Sequence, residues 1–157
     1  MTDNIRARSI ACNRLVVIGL GLIGASAAKA ARERGLCNEV IGISRRDSTL
    51  EIALQQGVID RAESSLSALA HELGRGDMVL ISVPTLTVSE VLEDCYRLLS
   101  NHVTITDAAS VKGNVVDMAK AIYGQMPEQL VPGHPIAGSE KSGVNAAQAD
   151  LYVDHRV

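Results

Sequence analysis

The hexapeptide Gly19–Gly24 has the pattern GxGxxG and stands between an apolar run and an alanine-rich segment. The run Arg14–Ile18 precedes it directly and is typical of a strand that is covered on both faces. The segment Ala25–Arg34 follows it and predicts a helix, which Gly35 ends as a left-handed cap. A glycine-rich turn between a buried strand and a helix indicates a βαβ unit. This turn therefore restricts the chain to folds that contain a parallel sheet.

The rest of the chain alternates apolar strands with amphipathic helices. The clearest helix has apolar side chains at positions 88, 91, 92, 95 and 99, a spacing that places them on one face. Right-handed crossovers between such units predict a Rossmann-type α/β fold, in which a doubly wound and mainly parallel sheet has about six strands. We predict further strands at Glu39–Ile43, Val58–Ala62, Met78–Ser82, Val103–Thr106 and Gln129–Val131. We predict further helices from Asp47 or Ser48 to Gly57, at Ser65–Leu73, at 88–99 and at Lys112–Ile122.

The length of 157 residues predicts a single domain. We expect residues 1–13 to form a leader and residues 14–157 to form an NAD(P)-binding domain. The segment Tyr152–Val157 is typical of the approach to another strand. We therefore expect the domain to be truncated at the start of a further strand, as part of a longer protein.

Composition and charge exclude several classes of partner. The formal net charge of −3 is slightly negative, whereas binding to nucleic acid or to an anionic membrane needs a positively charged surface. Only 2% of residues are aromatic, which argues against stacking on single-stranded nucleic acid. The uncharged run Leu15–Ala28 is shorter than the roughly 20 residues that span a bilayer. Cys12, Cys37 and Cys95 have neither metal-ligand nor disulfide spacing. We predict no metal site, no nucleic-acid or membrane partner, and inert thiols in a cytoplasmic protein.

The glycine hexapeptide predicts a binding site for the pyrophosphate of a dinucleotide. Gly19 permits the tight turn, Gly21 lets the backbone approach a phosphate, and Gly24 lets the helix lie close to the strand. The free N–H groups at the helix N-terminus carry partial positive charge toward the phosphates, and we assign Leu22 and Ile23 of the hexapeptide to the same cofactor site. The alternative is a glycine turn with a purely structural role.

The end of the second strand indicates which dinucleotide is preferred. About 20 residues after the glycine turn, an NAD-binding domain usually has Asp or Glu for the adenosine ribose. This chain has Ser44, Arg45 and Arg46 instead. A hydroxyl and two guanidinium groups can hydrogen-bond a 2′-phosphate, so we favour NADP within the broader prediction of NAD(P). The alternative is that both arginines are solvated and that NAD binds through neutral contacts.

Three later strand ends should meet at the same edge of the sheet. The fourth strand leads into Ser82, Val83 and Pro84, which we assign to the cofactor. The fifth leads into Asp107–Lys112, and the sixth into Gly133–Gly143. His134 is the group whose ordinary pKa suits proton abstraction near neutrality, so it is a candidate base. Ser110 is equally compatible with a helix N-cap, and His134 with a structural role.

The chain resembles the prephenate/arogenate (cyclohexadienyl) dehydrogenases of tyrosine biosynthesis. The resemblance rests on three blocks, Gly19–Gly24, Asp107–Lys112 (DAASVK) and Gly133–Val144 (GHPIAGSEKSGV). The third block is the specific one, because ordinary Rossmann dehydrogenases do not carry it. Order and spacing agree over about Arg14–Val157.

The resemblance implies an oxidative decarboxylation of a cyclohexadienol, prephenate or arogenate. Hydride passes to the nicotinamide, His134 accepts or polarises the hydroxyl proton, and the ring carboxylate leaves as CO₂. Ser110 would orient His134 and touch the nicotinamide ribose, while Ser139 and Glu140 would border the substrate pocket. The product is 4-hydroxyphenylpyruvate or tyrosine.

The resemblance also implies that a helical C-terminal domain is absent from this chain. In the family that domain builds a homodimer and supplies an arginine for the substrate's carboxylates, so the chain alone is expected to bind cofactor without turnover. Two alternatives remain. One is another Rossmann oxidoreductase, such as a 3-hydroxyacid dehydrogenase. The other is a dinucleotide-sensing domain that does no chemistry.

The cofactor interpretation predicts the effect of Ser44→Asp combined with Arg45→Ala. Because a carboxylate replaces the donors to a 2′-phosphate, the preference for NADP over NAD should move toward NAD by roughly one to two orders of magnitude. Calorimetric titration with each dinucleotide measures the ratio. A ratio that does not move toward NAD contradicts the interpretation of this strand end.

Overall fold

A parallel sheet organises the structure, a computed structural model that describes residues 9–110, 112–135, 137 and 141–156. Within these residues the sheet has six strands in the order β3-β2-β1-β4-β5-β6, and every neighbouring pair is parallel. The predicted doubly wound Rossmann-type fold is therefore confirmed. The strands are β1 (Cys12–Ile18), β2 (Cys37–Ile43), β3 (Arg61–Glu63), β4 (Met78–Ile81), β5 (Thr104–Asp107) and β6 (Leu130–Val131).

In the described part of the chain, four α-helices cover the two faces of the sheet. They are α1 (Leu22–Glu33), α2 (Asp47–Gln55), α3 (Val88–Leu98) and α4 (Lys112–Tyr123). Leu15 and Val17 of β1 pack with α1 and α2, whereas Val16 and Ile18 pack with α3 and α4. Alternate residues of β1 thus belong to two apolar cores, as expected for a strand buried on both faces. In the described part of the chain, no helix combines the length and the apolar character needed to cross a membrane.

The predicted helix over Ser65–Leu73 is wrong. Two short 3₁₀ turns, Leu66–Ala68 and Ala70–Glu72, occupy this segment. Leu69 between them has φ −127°, outside the helical region, which breaks the regular turn. Leu66, Leu69 and Leu73 are nevertheless buried, so the apolar spacing reflects burial without an α-helix.

Two element boundaries differ from prediction because tertiary contacts set them. Strand β3 begins at Arg61, after the predicted Val58, since Val58 and Ile59 are buried in the turn that follows α2. Helix α1 begins at Leu22, inside the glycine hexapeptide, and Gly21 is its N-cap. Helix α2 begins at Asp47, and its N-cap, Arg46, makes no side-chain cap hydrogen bond.

The last described segment packs against α1. Residues 151–154 form a turn, and 155–156 have no regular structure. The Tyr152 hydroxyl donates a hydrogen bond to the Ile23 carbonyl, and the Gln148 N–H donates to Ser26 Oγ (3.0 Å). The expectation that Tyr152–Val157 approaches a further strand stays a prediction.

Two of the thiols are neighbours despite their separation in sequence. Cys12 and Cys37 are partners in the register of β1 and β2, and both are half-buried, whereas Cys95 is fully buried. Burial raises the pKa of Cys12 to about 11 and that of Cys95 to about 12. Raised thiol pKa values disfavour the reactive thiolate, consistent with the expected inertness.

Asp77 fixes the start of β4 against β1, and its removal tests how much this contact stabilises the fold. Its carboxylate is 4% exposed and accepts hydrogen bonds from the backbone N–H groups of Arg14 and Gly74, each at 3.0 Å. Asp77→Ala leaves these donors unpaired and should lower the free energy of unfolding by about 1–3 kcal/mol. Urea denaturation measures the change. The exposed Asp117→Ala is the matched control, and an equal effect of both substitutions would contradict the prediction.

Candidate nucleotide-binding site

Two of the three glycines in the turn have contacts that leave no room for a side chain. Gly19 has φ +95°, and a Cβ there would lie 2.2 Å from the Ser82 carbonyl oxygen. A Cβ on Gly24 would lie 2.1 Å from the Gly19 carbonyl oxygen. The fold itself therefore requires both glycines, because they let the first turn of α1 rest on the ends of β1 and β4.

Gly21 differs from the other two glycines, because nothing in the protein requires it. Its φ is −72°, which any residue adopts, and a Cβ there would have no other atom within 4 Å. A side chain at this position would instead enter the groove above the turn. Helix α1 also has no acidic residue in its first turn and no side-chain cap, which leaves its N–H groups available to an anion. This arrangement fits the pyrophosphate of a dinucleotide.

A groove of about 550 Å³ runs along the carboxyl ends of the strands above this turn. It brings together most of the residues predicted to bind the cofactor. Of the other predicted residues, Arg45 lines a neighbouring cavity, whereas Gly24 and Ser110 line neither the groove nor that cavity. The groove is lined by Gly19, Leu20, Gly21, Leu22, Ile23, Ser44, Arg46, Thr49, Ser82, Val83, Pro84, Ala108, Gly143 and Val144.

The neighbouring cavity, of about 280 Å³, lies between the end of β2 and the start of α3. Apolar walls from Ile43, Leu66 and Val91 accompany the polar side chains at its rim, a combination suited to a heteroaromatic base. Ser64, Ser65, Thr87 and Asp94 also line this cavity and were missed by sequence reasoning. The rule that ligands collect at strand ends would have found the two serines if β3 had been placed correctly.

The residues predicted to choose the dinucleotide lie side by side at the end of β2. Ser44 is half-buried, and its hydroxyl accepts a hydrogen bond from the Arg46 N–H at 3.2 Å. Arg46 lines the groove, whereas Arg45 faces the cavity and pairs with Glu90 at 2.9 Å. The structure thus separates two arginines that the sequence presents as one basic pair.

Asp107 joins the loops that follow β5 and β6. Its carboxylate is 2% exposed, and Oδ2 accepts a hydrogen bond from the Ala109 N–H at 2.9 Å. Oδ1 accepts from the Gly133 N–H at 3.2 Å. One buried side chain therefore holds the loop that carries Ser110 beside the loop that carries His134.

His134 is half-buried and offers an unsatisfied ring nitrogen. Its Nδ1 atom is buried and, among the residues that the structure describes, has no hydrogen-bond partner. Buried polar atoms are rarely left unpaired, so the atom marks a position where a partner is missing. Ser110 is exposed, and over residues 9–135 no hydrogen bond joins its hydroxyl to Nδ1 of His134. Ser139 and Glu140, predicted at the substrate pocket, lie outside the described residues.

The segment after residue 141 returns to the groove and closes its side. Gly143 and Val144 line the groove, and Asn145 Oδ1 accepts a hydrogen bond from Gln56 Nε2 at 2.7 Å. Burial raises the pKa of Tyr152 to about 12, so its hydroxyl stays protonated and donates to the Ile23 carbonyl. These contacts tie the segment to the end of α2 and to the first turn of α1, beside the glycine turn.

The order of the sheet reverses between β1 and β4. The glycine turn, the groove and the neighbouring cavity all lie at this point. Such an arrangement defines a Rossmann-type nucleotide-binding domain. The model of the family described as "Prephenate dehydrogenase, nucleotide-binding domain" matches residues 27–157, and the chain belongs to this family. The match begins after the glycine turn, so the turn is an independent observation.

Individual relatives agree with the family. The chain is 34% identical over 140 residues to the prephenate dehydrogenase of Lactococcus lactis subsp. cremoris, covering 88% of this chain and 38% of that protein. It is 31% identical over 144 residues to the cyclohexadienyl dehydrogenase of Zymomonas mobilis, covering 91% and 47%. The chain therefore spans less than half the length of these curated relatives.

A solved structure extends the agreement to the fold. The structure is that of prephenate dehydrogenase from A. aeolicus in complex with hydroxyphenyl propionate and NAD+. It superposes with a TM-score of 0.82 at 32% identity, covering 94% of this chain and 50% of that chain. This likeness supports the described path of the backbone over almost the whole chain.

The contrast between the glycines yields a test of the phosphate turn. Gly21→Ala should weaken dinucleotide binding at least about tenfold, because its methyl group enters the groove, yet change the free energy of unfolding by less than about 0.5 kcal/mol. Gly24→Ala should instead destabilise the fold by about 1–3 kcal/mol, since its Cβ meets the Gly19 carbonyl. Calorimetric titration and thermal unfolding measure the two effects. Undiminished binding by Gly21→Ala would contradict the assignment.

Proposed function

We propose that the chain is the cofactor-binding and catalytic-histidine half of a prephenate or arogenate dehydrogenase. The observation that carries the proposal is the Asp107 bridge, which holds the loop of His134 beside a groove built for a dinucleotide. The names of the relatives and the ligands of the A. aeolicus enzyme support the same substrate class. The reaction is the oxidative decarboxylation of a cyclohexadienol to 4-hydroxyphenylpyruvate or tyrosine.

Each part of the dinucleotide has a matching part of the groove. The N–H groups at Gly21, Leu22 and Ile23 bind the pyrophosphate, and the cavity beside β2 takes the adenine. Ser82, Val83, Pro84 and Ser110 border the nicotinamide and its ribose. When bound, the nicotinamide supplies the hydride acceptor for the ring carbon that bears the substrate's hydroxyl group.

His134 holds the proton during the reaction. Its neutral imidazole accepts the proton of the substrate's hydroxyl while hydride departs from the same carbon. The bond between the ring and its carboxylate then breaks, CO₂ leaves, and the electron pair completes the aromatic ring. His134 returns its proton to the phenolate oxygen. Ser110 orients the imidazole, and Ser139 and Glu140 border the substrate.

The dinucleotide preferred by this site is NADP. Ser44 and Arg46 line the groove, Arg45 lines the adjoining cavity, and residue 44 is not a carboxylate that would repel a 2′-phosphate. Hydrogen bonds to a charged group contribute about 1.5–3 kcal/mol, which favours the phosphorylated dinucleotide by roughly one to two orders of magnitude.

The complete enzyme acts in the cytoplasm as a homodimer. The second half of the protein, which the longer relatives possess, builds that dimer and completes the substrate pocket. Residues 14–157 form the dinucleotide-binding domain. We therefore expect this chain to bind a dinucleotide by itself and to require the second half for turnover.

Replacement of the proposed base tests the function directly. In the intact protein, His134→Asn should lower kcat at least about a hundredfold, because a positioned base contributes roughly 10²–10⁴-fold. The dissociation constant for the dinucleotide should stay within about threefold, since the imidazole does not line the groove. Turnover is followed by absorbance of the reduced nicotinamide with prephenate or arogenate. An unchanged kcat would contradict the assignment of the base.

A further inference from the structure

An ion pair links the two walls of the cavity that we assign to adenine. Arg45 lines the cavity from the end of β2, and its Nη2 atom lies 2.9 Å from Glu90 Oε2. Glu90 belongs to α3, whose residues Thr87 and Val91 line the opposite wall. The pair therefore connects the end of β2 to α3, the two elements that flank the cavity.

Arg45, one of the two arginines that could bind a 2′-phosphate, is already paired with Glu90. The charge of Arg45 is neutralised by Glu90, whereas Arg46 has no ion-pair partner over residues 9–110. A second carboxylate on the same helix, Asp94, also lines the cavity but pairs with Arg97 at 2.6 Å. A phosphate that recruits Arg45 must compete with Glu90 for the guanidinium.

We propose that Glu90 is a specificity-determining residue that sets the ratio of NADP to NAD binding. Glu90 holds Arg45 against α3. A 2′-phosphate that binds Arg45 must first break this ion pair, and the cost of breaking the pair reduces the net binding energy that the phosphate gains. NAD lacks this phosphate and leaves the pair intact. This inference rests on the proposed function, because it assumes that a dinucleotide binds with its adenosine beside Arg45.

Exposure of both side chains determines the size of the effect. Arg45 is 82% exposed and Glu90 is 67% exposed. Exposed pairs are weak and readily exchanged, so Glu90 adjusts the preference without abolishing NADP binding. Release of Arg45 should therefore shift the ratio by about two- to fivefold.

Glu90→Gln tests the proposal because glutamine keeps the size of the side chain and removes its charge. Calorimetric titration of the 157-residue chain with NADP and NAD gives the ratio of their dissociation constants. We expect Glu90→Gln to shift this ratio about two- to fivefold toward NADP. Adenosine 2′,5′-bisphosphate and 5′-AMP, which lack the nicotinamide half, should show the same shift. The control is Glu93→Gln, an equal loss of charge at an exposed position of α3, which should shift the ratio by less than about 1.5-fold.

A second variant tests whether Glu90 acts through Arg45. In the Arg45→Ala background, Glu90→Gln should shift the ratio by less than about 1.5-fold, because the guanidinium that it releases is gone. A shift as large in that background as in the unsubstituted chain overturns the proposal. So does a Glu93→Gln shift as large as that of Glu90→Gln, and so does a Glu90→Gln ratio that does not change. Failure of the unsubstituted chain to bind either dinucleotide would instead contradict the proposed function.

Discussion

The first turn of α1 rests on the ends of β1 and β4 with no side chain between them, and the site depends on this contact. Gly19 and Gly24 permit it, since a Cβ on either would lie within 2.2 Å of a backbone carbonyl oxygen. The contact places the free N–H groups of the helix at the point where the strand order reverses. The groove lies above this turn, and the cavity at the end of β2 adjoins it. Gly21 leaves the approach to the N–H groups open.

A second constraint connects binding to chemistry. The buried carboxylate of Asp107 accepts N–H groups from the loops after β5 and β6, so these loops keep a fixed relation although they belong to different crossovers. A carboxyl side chain suits this role, because its two oxygens can accept hydrogen bonds from two separate loops. The half of the site that holds a ligand is thereby joined to the half that bears His134.

Local patterns predicted much of this molecule. The alternation of strands and helices, the glycine turn and the long helix with apolar residues at 88, 91, 92 and 95 are local signals, and the structure confirms them. The helix predicted over residues 65–73 is wrong, because buried leucines at helical spacing can also lie in 3₁₀ turns. The contacts of Asp107 with Gly133 and of Arg45 with Glu90 join distant parts of the chain. Sequence spacing therefore carries no signal for either contact.

The strand order also sets a length. The glycine turn follows β1 and His134 follows β6, and β4 and β5 lie between these strands. Three strand spacings of about 4.8 Å separate the two positions by about 14 Å. A ligand that rests its phosphates on the turn must be long enough to cover this distance before it meets the imidazole. A ligand that matches the chemistry of each subsite but is shorter than this distance therefore cannot contact the glycine turn and the imidazole at the same time.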